Sequence, residues 1–336
     1  MYLQIPAVSV VVCFLRNELI MKDSFGREIN YLRLSVTDRC NLRCRYCMPE
    51  NGIEKKEHSQ MLTEEEMLSA VRICSSLGIN KVRVTGGEPL LKKNILSICS
   101  GIAAIPGIDE LCLTTNGTML PQMARNLKET GVGRVNISLD TLNPKKYRRI
   151  TRIGNLEDAL KGLESALDAG FERIKINTVL IGGFNDDEII DLANLTKQYD
   201  VDLRFIELMP MTGDSFFSDS SYVPSSVVLQ RLTGLESVGD EGVSRTYRLP
   251  GAKGTVGLIS PLSNMFCPTC NRIRITADGK VKPCLHKPEE FTIKGLDEIE
   301  MRAVLQKAIC AKPPCHDELS SEHATKAGRA MFRIGG

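Results

Sequence analysis

The chain has no tryptophan, only 4 histidines in 336 residues, and aromatic residues make up just 5% of it. No apolar run reaches the roughly 20 residues that a membrane-spanning helix needs, so no transmembrane segment is expected. Charge of one sign is also lacking: 43 Lys and Arg stand against 41 Asp and Glu, a net charge of +2. That balance argues against a broad nucleic-acid-binding surface, though not against one basic pocket. No P-loop signature is present, which removes support for ordinary ATPase or GTPase chemistry. Ile5 to Leu15 is apolar, but no basic stretch precedes it and no small-residue cleavage site follows, so it does not read as a secretory leader. Residues 1–20 read two ways, as an additional strand or as chain ahead of a start at Met21.

Cysteine is abundant instead: there are 12. A secreted disulfide scaffold is short and cysteine-dense, and this chain is neither. A cytoplasmic protein with working thiols is the expectation. A hydrophobic content of 42% supports a substantial core, and the length allows one large domain or two modest ones.

The apolar pattern alternates between strand and helix. Strands are expected at Tyr31 to Val36, Lys81 to Thr85, Leu111 to Thr115, Val135 to Leu139, Ile174 to Ile181 and Leu203 to Glu207. Helices are expected between them; the one ending near Leu77 opens on a Thr63/Glu66 capping box. At least six strand–helix units of the parallel type belong to a barrel or a doubly wound sheet, with functional residues at the strand ends. Six are too few for a closed eight-stranded barrel. After Pro210 the rhythm breaks, leaving a possible helix over Ser225 to Leu235 and a hairpin around Gly251. A division near residue 235 follows, into 1–21, 22–235 and 236–336.

Cys40, Cys44 and Cys47 form C-x3-C-x2-C on the loop after the first strand. Three thiolates this close can converge on one metal centre. A structural zinc site wants four ligands, and the next histidine, His58, is eleven residues on. A cubane cluster tolerates three protein thiolates if one iron is left for a small molecule. Cluster, zinc site and incidental thiols all stay open on the residues alone. The spacing resembles the radical S-adenosylmethionine superfamily. That resemblance implies a 4Fe-4S cluster on these three cysteines, with S-adenosylmethionine chelated at the open iron. It further implies that Tyr46 lies against adenine, and that Gly86, Gly87 and Glu88 of Gly86-Gly87-Glu88-Pro89 receive the methionine ammonium. Thr114 and Ser138 are the implied cofactor contacts at the next strand ends.

Cys267, Cys270 and Cys284 form a second triplet, C-x2-C-x13-C. Zinc would need a fourth ligand, with His286 the nearest; a second open cluster explains three. Arg272 and Arg274 lie between the thiols, two apart on an expected strand, and so face the same way. Guanidinium groups bind phosphate or carboxylate bidentately. With both triplets in view, the chain resembles the GTP 3′,8-cyclase family from about Met21 to Gly336. The fold implied is α/β: a partial (βα)6 TIM-like barrel of the radical S-adenosylmethionine type, with a smaller C-terminal α+β domain holding an auxiliary iron–sulfur cluster.

The family resemblance implies GTP as substrate, contacted by Arg33, Lys81, Arg83, Lys175, Arg272 and Arg274. It places Arg204 on the cofactor side, and gives Arg272, Arg274 and the Gly335-Gly336 tail roles in turnover. The implied cofactors are two 4Fe-4S clusters and S-adenosylmethionine. The implied partners are an external one-electron donor, a second copy in a homodimer, and cyclic pyranopterin monophosphate synthase as recipient of the product. Abstraction of the ribose 3′ hydrogen and closure onto guanine position 8 is the implied reaction, the first step of molybdenum cofactor biosynthesis. Three other readings weigh against it: a peptide-modifying radical enzyme (for which Cys310 and Cys315 are the only support), an electron-transfer module, and a zinc-based nucleic-acid binder. Cys13, Cys74, Cys99 and Cys112 are expected in the core.

Overall fold

The computed structural model describes residues 21–53, 57–211, 218–320 and 323–335. Residues 1–20, including Cys13, and Gly336 lie outside the described residues.

Six strands pair in parallel in chain order: β1 (Tyr31–Ser35), β2 (Lys81–Thr85), β3 (Glu110–Thr115), β4 (Arg134–Ser138), β5 (Arg173–Leu180) and β6 (Asp202–Glu207). Period-two alternation decides what each strand contributes. Leu32, Leu34, Val82, Val84, Leu113, Val135, Ile137, Ile176, Leu203 and Phe205 point one way and are fully buried with the helices in one apolar cluster. Each such side chain stabilises by about 1.5–3 kcal/mol. The alternate positions are polar and line the inside of the curled sheet. The helices that cover the outside are α1 (Glu64–Ser76), α2 (Ile95–Ala103), α3 (Leu120–Glu129), α4 (Pro144–Thr151), α5 (Leu156–Asp168) and α6 (Ile189–Gln198). Thr63 and Glu66 form the expected capping box at the start of α1, and Gly78 ends it at φ +94°.

The rest of the chain extends the same sheet at both edges. After α7 (Ser226–Arg231) come β7 (Glu236–Glu241), β8 (Ser244–Arg248) and β9 (Val256–Ile259). β9 pairs in parallel with β6, and β8 and β7 follow as antiparallel neighbours. On the other edge β10 (Arg272–Ile275) pairs in parallel with β1, followed by β11 (Lys280–Lys282) and β12 (Phe291–Thr292). Among the described residues the sheet has twelve strands, drawn from both sides of residue 235. Both edges of the six-strand unit are covered, which removes exposed ladders. α8 (Glu298–Cys310) packs on α1, and Glu66 accepts from the Gly295 amide as well as capping α1.

Four of these elements, α4, β7, β12 and α8, were not expected. α4 carries four charges and only two buried apolar side chains, Tyr147 and Ile150. Its signals are the Asn143 cap and Pro144 at the first position. β7 is exposed along nearly its whole length and has no apolar alternation to read.

Candidate active site

Sheet register gathers the inward side chains into rows. Arg272, Tyr31, Lys81 and Glu110 are successive partners across β10, β1, β2 and β3. One pleat further on come Arg274, Arg33, Arg83, Cys112, Arg134 and Arg173. Nearer the strand ends lie Ser35, Thr85, Asn136, Lys175 and Asp202, with Thr114 beside Asn136. Ser138, Asn177 and Arg204 form the next row. All six expected substrate residues thus line one interior. So do residues the sequence reading missed: Tyr31, Glu110, Arg134, Arg173 and Asp202. They were missed because their partners lie on neighbouring strands rather than nearby in sequence. Cys74, Cys99 and Cys112 are all fully buried, as expected; Cys112 is so on the inward face, where it donates to Glu110 at 2.9 Å.

Crowding of cations shows in the protonation of these groups. Burial, with Arg274 nearby, holds Arg33 well below its ordinary value. Burial opposes ionisation of Tyr31, but Arg83, Arg33 and Arg272 bring its phenol down to about 8. Arg83 donates to the Tyr31 hydroxyl at 2.5 Å, and Arg272 sits 5.4 Å from the Tyr31 ring centre. Lys81 pairs with Glu110 at 2.6 Å.

The two thiol groups occupy opposite ends of this interior. Cys40, Cys44 and Cys47 follow the C-terminal end of β1, whereas Cys270 precedes β10, whose first residue Arg272 pairs with the first residue of β1. β11 runs antiparallel to β10 and returns the chain to Cys284 at that same end. Five residues of extended strand, about 16 Å, separate the two ends.

The first loop is packed by the Gly86-Gly87-Glu88 turn. The Gly87 amide donates to Thr37 O at 2.8 Å and the Glu88 amide to Arg39 O at 2.7 Å. A side chain at Gly87 would collide with the Arg39 carbonyl. The glycines thus admit the thiol loop's backbone. The Glu88 carboxylate, 1% exposed, accepts from Thr115 Oγ1 and from the Leu90 and Asn116 amides. Burial raises it to about 7 against those bonds. Tyr46 donates to Asp140 Oδ2 at 2.7 Å, and its ring packs beside Ile150, Ile181, Phe184 and Leu208. A cavity of about 180 Å³ opens there, lined by Arg45, Arg149, Ile150, Ile181, Phe184 and Ser221 among others.

The donor set, three thiols on one loop, is chemically compatible with an iron–sulfur cluster. Among the described residues no three His, Cys, Asp or Glu are close enough to share one ion, as a zinc site requires. A cubane instead spreads its thiolates over separate irons. Burial pushes the Cys40 thiol up to about 11 and, together with Cys47 and Asp140, pushes Cys44 well up, so a thiolate here needs a cationic partner. At the second group, His286 is engaged with Thr325 at 3.2 Å, and its ring lies 4.7 Å from that of His316, tilted by 58°. The 3%-exposed Lys312 donates to Arg272 O and Pro283 O. Burial would raise Cys270, but Lys312 and Arg272 lower it. Between the two groups, Thr85 Oγ1, Thr114 Oγ1, Asn136 Oδ1, Asn177 Oδ1, Arg134 Nε and Arg272 Nε are buried with no hydrogen-bond partner among the described residues. Orphaned groups on inward rows mark a polar ligand cavity.

Residues 34–196 match the model of the radical SAM superfamily, and residues 201–318 match Molybdenum Cofactor Synthesis C. The GTP 3′,8-cyclase of Alkaliphilus metalliredigens is 47% identical over 94% of this chain and 100% of its own length. That of Peptoclostridium acidaminophilum is 47% identical over 95% and 99%. The chain belongs to the GTP 3′,8-cyclase family. Its fold is shared with more distant solved structures. Streptococcus suis SuiB bound to S-adenosylmethionine superposes with a TM-score of 0.62 at 15% identity, covering 88% of this chain and 69% of that one. The family is one of radical S-adenosylmethionine enzymes, so iron–sulfur and S-adenosylmethionine use follow from membership.

The chain end enters the same interior. Gly335 O accepts from Arg274 Nη1 at 3.0 Å and Arg33 Nη2 at 3.2 Å. At φ +79°, a side chain at Gly335 would run into Thr85 Oγ1 and Ser35 Cβ. Gly336 lies outside the described residues. Among the described residues no helix is long and apolar enough to cross a membrane.

Proposed function

We propose that the chain converts GTP to 3′,8-cyclo-7,8-dihydro-GTP, the first step of molybdenum cofactor biosynthesis, with the substrate held between two 4Fe-4S clusters. The observation that carries the substrate assignment is the inward cation set between two open-sided thiol triplets. A nucleoside triphosphate brings about four negative charges, which a cavity lined by Arg33, Arg83, Lys175, Arg272 and Arg274 can neutralise despite the small net charge. Cys40, Cys44 and Cys47 would hold the cluster that binds S-adenosylmethionine, beside Tyr46 and the Gly86-Gly87-Glu88 turn. Thr114, Ser138 and Arg204 supply polar contacts along its rim. Cys267, Cys270 and Cys284 would hold the auxiliary cluster, next to the guanine end of the substrate.

When bound, the cofactors supply one-electron cleavage of the sulfonium, which generates the 5′-deoxyadenosyl radical that takes the ribose 3′ hydrogen. The protein's own residues position and shield. Arg272 and Arg274 clamp the substrate near the second thiol group. Gly335 covers the interior over Arg33 and Arg274, beside Ser35 and Thr85, which keeps the ribose from solvent and fixes its reach to guanine position 8. An external one-electron donor, a homodimeric assembly, a cytoplasmic site of action and transfer of product to cyclic pyranopterin monophosphate synthase complete the reading.

Cys284→Ala tests the second cluster's role. The variant should retain about four of about eight irons and yield no cyclised GTP. Full cyclisation by that variant would refute the assignment.

A further inference from the structure

The hairpin joining β7 and β8 delivers a carboxylate into the interior. Glu241 Oε1 accepts from Lys175 Nζ at 2.6 Å and Arg173 Nη1 at 3.2 Å. Its Oε2 accepts from Lys175 Nζ at 2.5 Å and pairs with Arg204 Nη2 at 3.2 Å. Lys175 is 3% exposed, so its ammonium requires an anion. The other carboxylate in the group, Asp202, accepts from Thr255 and Arg173 and lies farther from Lys175, with Oδ2 3.7 Å from its Nζ. Glu241 is thus the carboxylate that makes the short contacts to both Lys175 and Arg204, two cations expected to meet ligand.

Glu241 is poorly anchored for so central a contact. Its side chain is 33% exposed, it lies on an edge strand whose other residues are exposed, and Gly242 turns the chain at φ +63° immediately after it. The ladder between β7 and β8 slips between Ser237 and Gly239. Such an edge opens at little cost to the core. Around the ion group, Asn177 Oδ1 and Ser244 Oγ are buried without hydrogen-bond partners among the described residues. Asn177 is the register neighbour of Arg204, and Ser244 and Arg204 both crowd the bare face of Gly257. The polar shell thus continues past Glu241 to donors and acceptors that this carboxylate does not reach.

We propose that Glu241 is a tethered stand-in for substrate phosphate. It holds Lys175, Arg204 and Arg173 together before binding, and the polyphosphate of GTP displaces it. This inference rests on the assignment of the interior as the GTP site. A single carboxylate yields to a ligand carrying several charges but resists one that carries none or one, so the exchange favours triphosphates over guanosine. The competition lowers affinity for the anion by the same factor that removing the carboxylate restores.

The test measures equilibrium binding of GTP, inorganic tripolyphosphate and guanosine to the full-length, anaerobically reconstituted protein. Glu241→Gln should bind GTP and tripolyphosphate about 5- to 30-fold more tightly and guanosine unchanged. KM for GTP should fall with no rise in kcat. Lys175→Met should weaken GTP binding by about tenfold or more. GTP binding that is unchanged or weaker in Glu241→Gln, while Lys175→Met weakens it, overturns the inference and leaves the GTP site in place. GTP binding untouched by Lys175→Met overturns the site assignment, and the inference with it. If Glu241→Gln loses its clusters, Glu241→Asp keeps the charge but shortens the reach. It should tighten GTP binding by a smaller factor, and no tightening refutes the inference.

Discussion

Gly335 carries more consequence than a residue without a side chain usually does. Its carbonyl is the acceptor that two inward guanidiniums converge on, and its φ of +79° is one that other residues adopt at a cost. Gly335→Ala should lower turnover by about tenfold or more while iron content and fold stay as they are, because a methyl group would push the tail off Ser35 and Thr85. Cyclisation by the variant at the parent rate would show that the tail does not shape the site. The two thiol triplets were legible in the sequence because their spacing is local chemistry. Glu241, Glu110 and Asp202 were not, since an acid's role here depends on cations brought by strands elsewhere in the chain. The glycine turn was legible as a motif, but not its packing on the thiol loop or the bonds that tie the Glu88 carboxylate to Thr115, Leu90 and Asn116.

Among the elements, β1 to β6 lie within one or two residues of where alternation put them, because each has one face in the apolar cluster and one in the polar interior. β7 has neither face buried, so nothing in its composition announces a strand, yet it presents Glu241. Parallel pairing of β10 with β1 joins residues about 240 apart and leaves no local trace. The β7 hairpin gives a pH dependence whose sign follows from its ion group. Burial opposes ionisation of Glu241, but bonds from Lys175 and the charges of Arg204 and Arg173 bring it from 4.5 down to about 2. A carboxylate depressed in the folded state adds stability above its unfolded value and loses it as pH falls through the folded one. Thermal unfolding should show the parent more stable than Glu241→Gln above about pH 4.5, with the difference closing toward pH 2. A difference that is constant across that range would mean the carboxylate is not paired in solution.

At the scale of the molecule, one continuous sheet supports both thiol groups. The C-terminal third adds strands to each edge of the six-strand unit, and so brings Cys267, Cys270 and Cys284 to the end of the interior opposite Cys40, Cys44 and Cys47. The composition anomaly of many cysteines and little net charge resolves here: six thiols are gathered at two ends, and the cations that matter lie between them. The central claim is that this interior directs a deoxyadenosyl radical to the ribose 3′ position of GTP. The most direct measurement is anaerobic turnover of GTP deuterated at that position, with S-adenosylmethionine and a reductant, followed by mass spectrometry. The account predicts one deuterium in 5′-deoxyadenosine together with 3′,8-cyclo-7,8-dihydro-GTP. Unlabelled 5′-deoxyadenosine, or labelled 5′-deoxyadenosine with no cyclised product, would contradict it.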